Sequence, residues 1–171
     1  MDFNEVIAKR ESIRSYDPSK PVDINILKRI LEAGRIAPSA SNYQPWEFWL
    51  ISSPEMLAKV KPCYSRQWIN DAPHLLVVTG DTEHAWERAD GYNSLQTDLA
   101  IALHQMVLAA TNEGVGSCWV TNFNPSILRS ALGLKESVKV FGITPLGYPR
   151  EGYTHRTVTM RKAFEDVVLF R

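Results

Sequence analysis

At 171 residues, 44% apolar and 22% charged, the chain has the make-up of one soluble globular domain over residues 1–171, able to bury roughly 70% of its unfolded surface. Its 19 basic and 19 acidic residues cancel to a formal charge of +0, which removes the electrostatic case for bulk nucleic-acid or acidic-membrane binding. No apolar run approaches the roughly 20 residues that span a bilayer, and the acidic start at Met1 to Glu5 is unlike a secretory signal, so a cytoplasmic location is expected.

Asp2 and Glu5 have capping-box spacing, and the helix they begin carries Phe3, Val6 and Ile7 on one face and is expected to end near Arg10. Arg10-Glu11-Ser12-Ile13-Arg14-Ser15-Tyr16 comes next. Run extended, residues 10, 12 and 14 point to one side as a single polar row. Guanidinium groups stay charged and present planar forks of donors. The row therefore suits a phosphate at one end and a flat conjugated heterocycle at the other; a plain solvated surface is the alternative. Asp17 to Pro21 is a turn-rich break, and Asp23 caps a longer helix with Ile24, Leu27, Ile30 and Leu31 spaced for burial.

Ala37-Pro38-Ser39-Ala40-Ser41-Asn42-Tyr43-Gln44-Pro45 supports no regular element. It reads as a connector, or as a loop of small residues that lets backbone approach a flat ligand. Trp46 to Ile51 is expected as a strand buried on both faces, and Ser53-Pro54 as the start of a helix facing inward through Leu57 and Val60 and stopped by Pro62. His74 to Gly80 is a central-strand candidate. Residues 81–93, polar but for Trp86 and Tyr92, read as a loop or short mobile helix whose aromatics are expected to pack on the core, with a lid as the alternative.

The longest helix is expected from Ser94 to Glu113, with a wide stripe of Leu95, Leu99, Ala102, Leu103, Met106, Val107 and Ala110, and Gly114 as its left-handed cap. Asp98 and His104 on it are read as structural. Gly114 to Val120 is a glycine-bearing turn into a short strand with no GxGxxG dinucleotide fingerprint. A helix from Asn124-Pro125 to Gly133, a strand from Val138 to Leu146 and a turn at 147–151 follow, then a tail from Met160 that is basic at the front and apolar behind. Cys63 and Cys118 stand far apart, and the histidines at 74, 84, 104 and 155 make no zinc pattern, so reduced thiols and no metal are expected.

Four separated pieces together resemble the flavin-dependent nitroreductase family: Arg10 to Tyr16, Ala37 to Trp46, Gly114 to Trp119, and Leu146-Gly147-Tyr148-Pro149 with Arg161-Lys162 beyond. The resemblance implies an α+β fold, a central mostly antiparallel sheet flanked by helices, and an intertwined homodimer with two FMN sites at its interface. It places Arg10 and Arg14 at the phosphate, ribityl and pyrimidine edge of FMN, with Ser12 donating. Pro38, Ser39, Ala40, Ser41 and Asn42 would reach the flavin from the other protomer. Val120, Thr121 and Asn122 would face its central ring, and Arg161 would bind phosphate with help from Lys162.

The implied activity is hydride transfer from NADH or NADPH through flavin N5 to electron-poor acceptors such as nitroaromatics or quinones, in ping-pong fashion. No catalytic side chain is required, since the flavin carries the chemistry. Reductive dehalogenation, enone reduction, and a non-catalytic flavin-binding dimer are the alternatives. Thr121-Asn122 stand where many relatives have an acidic residue and a glycine, so substrate preference does not carry over.

Overall fold

The computed structural model describes residues 1–155 and 161–171. The continuous apolar run from His74 forms β2 (His74–Asp81), whose residues through Gly80 are all buried. It lies between β1 (Trp46–Ile51) and β4 (Val138–Gly147), and β4 pairs in turn with the short β3 (Gly116–Ser117), giving an antiparallel sheet in the order β1-β2-β4-β3. Side chains alternate across a pleated strand. Leu76 and Val78 accordingly join one core, while Leu75 and Val77 join the other. A bulge between Val78 and Thr79 shifts the β2–β4 register.

Five α-helices among the described residues cover the sheet. The 3.6-residue stripe expected in the longest one is realised in α4 (Leu95–Asn112), where Leu95, Leu99, Ala102, Leu103, Met106, Val107 and Ala110 are all buried. α4 packs with α2 (Ile24–Arg35) over the Leu76/Val78 face. Burying a side chain such as Leu103 there is worth about 1.5–3 kcal/mol. α3 (Pro54–Val60) and α5 (Pro125–Leu132) cover the opposite face through Leu57, Val60 and Leu128. α1 (Phe3–Lys9) begins with the expected capping box, Asp2 accepting from the Glu5 amide and Glu5 from the Asp2 amide. Gly114 (φ 72) and Gly133 (φ 63) take left-handed conformations just past α4 and α5. The architecture is the α+β arrangement read from the sequence.

Two expectations fail in detail. On α1 only Val6 is buried, Phe3 and Ile7 being exposed, and Ile24 at the head of α2 is exposed as well. A short terminal helix presents one residue to the core before the chain turns away. β1 touches both cores but only Ile51 is buried, because it is the edge strand and lacks a neighbour on one side. Residues 81–93 hold a 3₁₀ turn at Thr82–His84 and a bridge between Glu87 and Asn93. Trp86 is half-buried there.

His74, 6% exposed, serves the frame: its Nε2 accepts from the Val22 amide at 3.0 Å and its Nδ1 lies 2.7 Å from the Ser52 hydroxyl. The described residues form no group of metal-ligating side chains and no helix long and apolar enough to cross a membrane. Met160, expected to open the tail, lies outside the described residues.

Candidate functional site

The Arg10 to Tyr16 segment leaves α1 through Arg10, whose amide still donates to the Val6 carbonyl (2.9 Å) while its own backbone opens to φ −59, ψ 120. From there the chain runs beside β3. Ser12 bridges Ser117 in parallel, and the Ile13 amide donates to the Ser117 carbonyl at 2.9 Å. Extended geometry alternates the side chains: Ile13 is buried, Arg10 and Ser12 are half-buried, and Arg14 is exposed. Among the described residues neither Arg10 nor Arg14 has a carboxylate partner. Two unneutralised guanidinium groups in a chain of zero net charge make a local positive field.

This close approach to β3 depends on two glycines that face each other across β3 and β4. A Cβ on Gly116 would meet the Gly147 carbonyl and Ile13 Cγ1 at 3.0 Å. One on Gly147 would stand 2.7 Å from Pro73 Cδ and 3.2 Å from the Tyr16 ring. Ile13 fills the space left at Gly116, and the space left at Gly147 is filled by Pro73 and Tyr16. The Tyr16 ring is wholly buried, and its hydroxyl reaches the carbonyls of Ile13 (2.8 Å) and Pro145 (3.3 Å). Burial pushes its pKa well above the usual phenol value, so it remains a donor.

Cys118 lies against the same row. Burial raises its thiol pKa, and the nearby Arg14 and Ser12 pull in the opposite direction without cancelling the rise. The neutral thiol is no nucleophile. Cys63, pushed up to about 11 by burial, is equally inert, and both cysteines are free as expected. Past Cys118 the chain follows β4 as far as the Val120–Ile143 bridge, which leaves Thr121 and Asn122 exposed at this edge. Glu11 faces away from the arginine row, bonding the Tyr153 hydroxyl at 3.3 Å and contacting His155. Arg150 fastens the segment from outside, its Nε donating to the Tyr16 carbonyl (3.3 Å) and its Nη2 to Asp71 (3.0 Å).

The loop between α2 and β1 is built otherwise. Pro38, Ser41 and Asn42 are exposed, while Ser39 and Ala40 are half-buried. Ser41, Asn42 and Gln44 hold φ values of 48, 60 and 51, and they are the non-glycine residues with positive φ among those described. Such a backbone costs on the order of 1–3 kcal/mol per residue. The Ser39 hydroxyl accepts from the Gln44 amide at 2.9 Å, and the buried Asp98 accepts from the Ala40 amide at 2.9 Å. The Ser41 hydroxyl and the Asn42 side-chain amide make no hydrogen bond among the described residues, leaving both available to a ligand.

Arg10, Ser12 and Arg14 thus share one edge with Val120, Thr121 and Asn122, and the loop stands elsewhere. Ser117 pairs with Leu146, which pairs with His74 at the start of β2; Trp46, directly after the loop, pairs with Gly80 at its other end. Six residues of strand separate those ends by roughly 20 Å. Arg161 and Lys162 are exposed, beyond the undescribed stretch. No local motif marks the Gly116/Gly147 pair or the Ala40–Asp98 bond: each glycine makes room for a side chain from a distant segment, and the bond joins a main-chain amide to a residue 58 positions away.

A family model described as the nitroreductase family matches residues 7–68 and 56–148. A putative NADH dehydrogenase/NAD(P)H nitroreductase of Archaeoglobus fulgidus is 33% identical over 152 residues, covering 86% of this chain and 85% of its own. A nitroreductase family protein from Clostridium difficile 630 superposes with a TM-score of 0.91 at 31% identity, over 99% of this chain and 98% of that one. The chain belongs to the nitroreductase family. An FMN-dependent nitroreductase from Clostridium difficile R20291 is also similar (TM-score 0.80, 25% identity, 96% of both chains). So is the iodotyrosine deiodinase of Drosophila melanogaster, at 26% identity over 97% of this chain and 69% of its own.

Proposed function

We propose that the protein is an FMN-dependent NAD(P)H oxidoreductase acting on electron-poor small molecules, with its sites completed by a second protomer. The observation that carries this is the Arg10/Ser12/Arg14 row: two guanidinium groups with no carboxylate partner among the described residues, beside a hydroxyl, on a backbone fastened to β3. That donor set fits FMN. Arg10 and Arg14 would hold the phosphate and pyrimidine ends through charge-assisted bonds, Ser12 would donate to the ribityl chain, and Arg161 would add to the phosphate grip. Bound there, FMN would supply two-electron chemistry between NADH or NADPH and an acceptor. Positive charge at the pyrimidine end favours acceptance of electrons, and the exposed edge at Thr121 and Asn122 leaves room for a stacked reactant.

The separation of the two half-sites supports dimerisation. A loop roughly 20 Å from the arginine row serves the same flavin more readily from a neighbouring copy, with Ser39, Ala40, Ser41 and Asn42 approaching from the partner. The exposed apolar tail residues Phe164, Val167, Leu169 and Phe170 suit packing on another protomer. The test is the absorption spectrum of purified protein with added FMN, followed by anaerobic NADH or NADPH. A flavin band that bleaches on nucleotide addition, from protein eluting at dimer mass, is expected; protein that takes up no FMN refutes the proposal.

The likeness to the deiodinase supports a second reading, in which the flavin stays and the acceptor becomes a halogenated phenol. Turnover of such a phenol without nitroaromatic or quinone reduction would select it.

A further inference from the structure

Asp98 was expected to be structural, for want of a partner in the sequence. The fold supplies two. It sits in the first turn of α4, 2% exposed, where Oδ1 accepts from the Ala40 amide (2.9 Å) and Oδ2 from the Ser94 hydroxyl (2.7 Å). It makes no ion pair among the described residues. A carboxylate buried without a cation is costly unless hydrogen bonds satisfy it, and one donor per oxygen does so here, with the helix N-terminus favouring negative charge at that place. Its bond to Ala40 spans 58 residues of sequence and lands on the turn that leads into the positive-φ run of Ser41, Asn42 and Gln44. A strained loop persists only where its surroundings over-determine it. Ser39 Oγ holds the exit of this one, and Asp98 holds its entrance.

We propose that Asp98 is a positioning residue for the loop half of the flavin site: by drawing the Ala40 N–H inward it turns the Ser41 hydroxyl and the Asn42 amide outward, toward the flavin of the partner protomer. This rests on the flavin reading above. A side chain that merely filled the core would stabilise the fold without affecting cofactor affinity selectively. The two roles separate when stability and FMN binding are measured together.

The experiment compares Asp98→Ala, Asp98→Asn and Val107→Ala, the last a buried core residue of α4 about 13 Å along the helix axis from Asp98. FMN affinity is read by fluorescence titration, thermal stability by melting, and exposure of the Ala40 amide by hydrogen exchange. Asp98→Ala is expected to weaken FMN binding about 10-fold or more and to unprotect the Ala40 amide, as loss of a hydrogen bond to a charged group does. Asp98→Asn keeps an acceptor for Ala40 and should stay within about 3-fold of the parent, and Val107→Ala should lower the melting temperature with FMN affinity equally preserved.

Ala40→Pro removes the same N–H without altering the core, follows a Ser39 already extended (φ −138, ψ 160), and should reproduce the loss of affinity even if Asp98→Ala does not fold. Parental FMN affinity in Asp98→Ala or Ala40→Pro overturns the proposal, as does an equal loss in Val107→Ala. Parent protein that binds no FMN refutes the flavin reading, and this proposal with it.

Discussion

Residues 10–16 and residues 39–44 are both short, polar and irregular, and both are assigned to the same cofactor, yet the fold holds them by different means. The first is laid along a sheet edge: amide to carbonyl at Ile13 and Ser117, a bridge at Tyr16 and Pro149, a buried ring beneath. None of its residues takes a positive φ. The second contains three left-handed residues that are not glycine and is tied down by a hydroxyl and a carboxylate. In the proposed site, affinity at the first would reside in side chains projecting from a rigid rail. At the second it would reside in the shape of the backbone itself, which polar bonds maintain against local preference.

Substitutions can break or sharpen this contrast. Tyr16→Ala removes the support of the rail and leaves the Ile13 and Pro145 carbonyls unpaired, so a loss of about 3–5 kcal/mol in urea unfolding is expected, with FMN binding falling in proportion to the unfolded fraction. Arg14→Ala changes only what the rail carries. It should weaken FMN by about 1.5–3 kcal/mol in a titration and leave the unfolding midpoint where it was; an unchanged affinity would remove Arg14 from the site. Gln44→Gly addresses the loop. Glycine accepts φ 51 without steric cost, so stability should rise by about 0.5–1 kcal/mol, the reverse of the loss that glycine brings to regular elements. A loss on melting would show that the left-handed turn is not strained.

How legible each part was in the sequence follows from the range of the forces that build it. α4 was legible because its stripe of Leu95, Leu99, Leu103 and Met106 repeats within one helix, and Gly114 marks its end. β2 was legible as an unbroken apolar run. The half-burial of β1 is not legible, because Trp46, Phe48 and Trp49 signal apolar neighbours without saying that one flank has no strand. The arginine row could be read from charge and spacing alone. Its distance from the loop could not, since that distance is fixed by strand order and register. Asp98 was opaque for a related reason: its partner is a main-chain N–H, which any residue at position 40 but proline would supply.

The Tyr16 hydroxyl reaches across 129 positions of sequence to Pro145, whereas Ala40 reaches across only 58 to Asp98. At a ribosome moving ~5–20 residues per second, those intervals are about 6–26 s and 3–12 s. On a nascent chain the loop can therefore be pinned while the arginine rail still has no β4 to lie against. At the proposed site, the half built on the arginine rail would form only once β4 (Val138–Gly147) has emerged, so FMN loading would come late in synthesis.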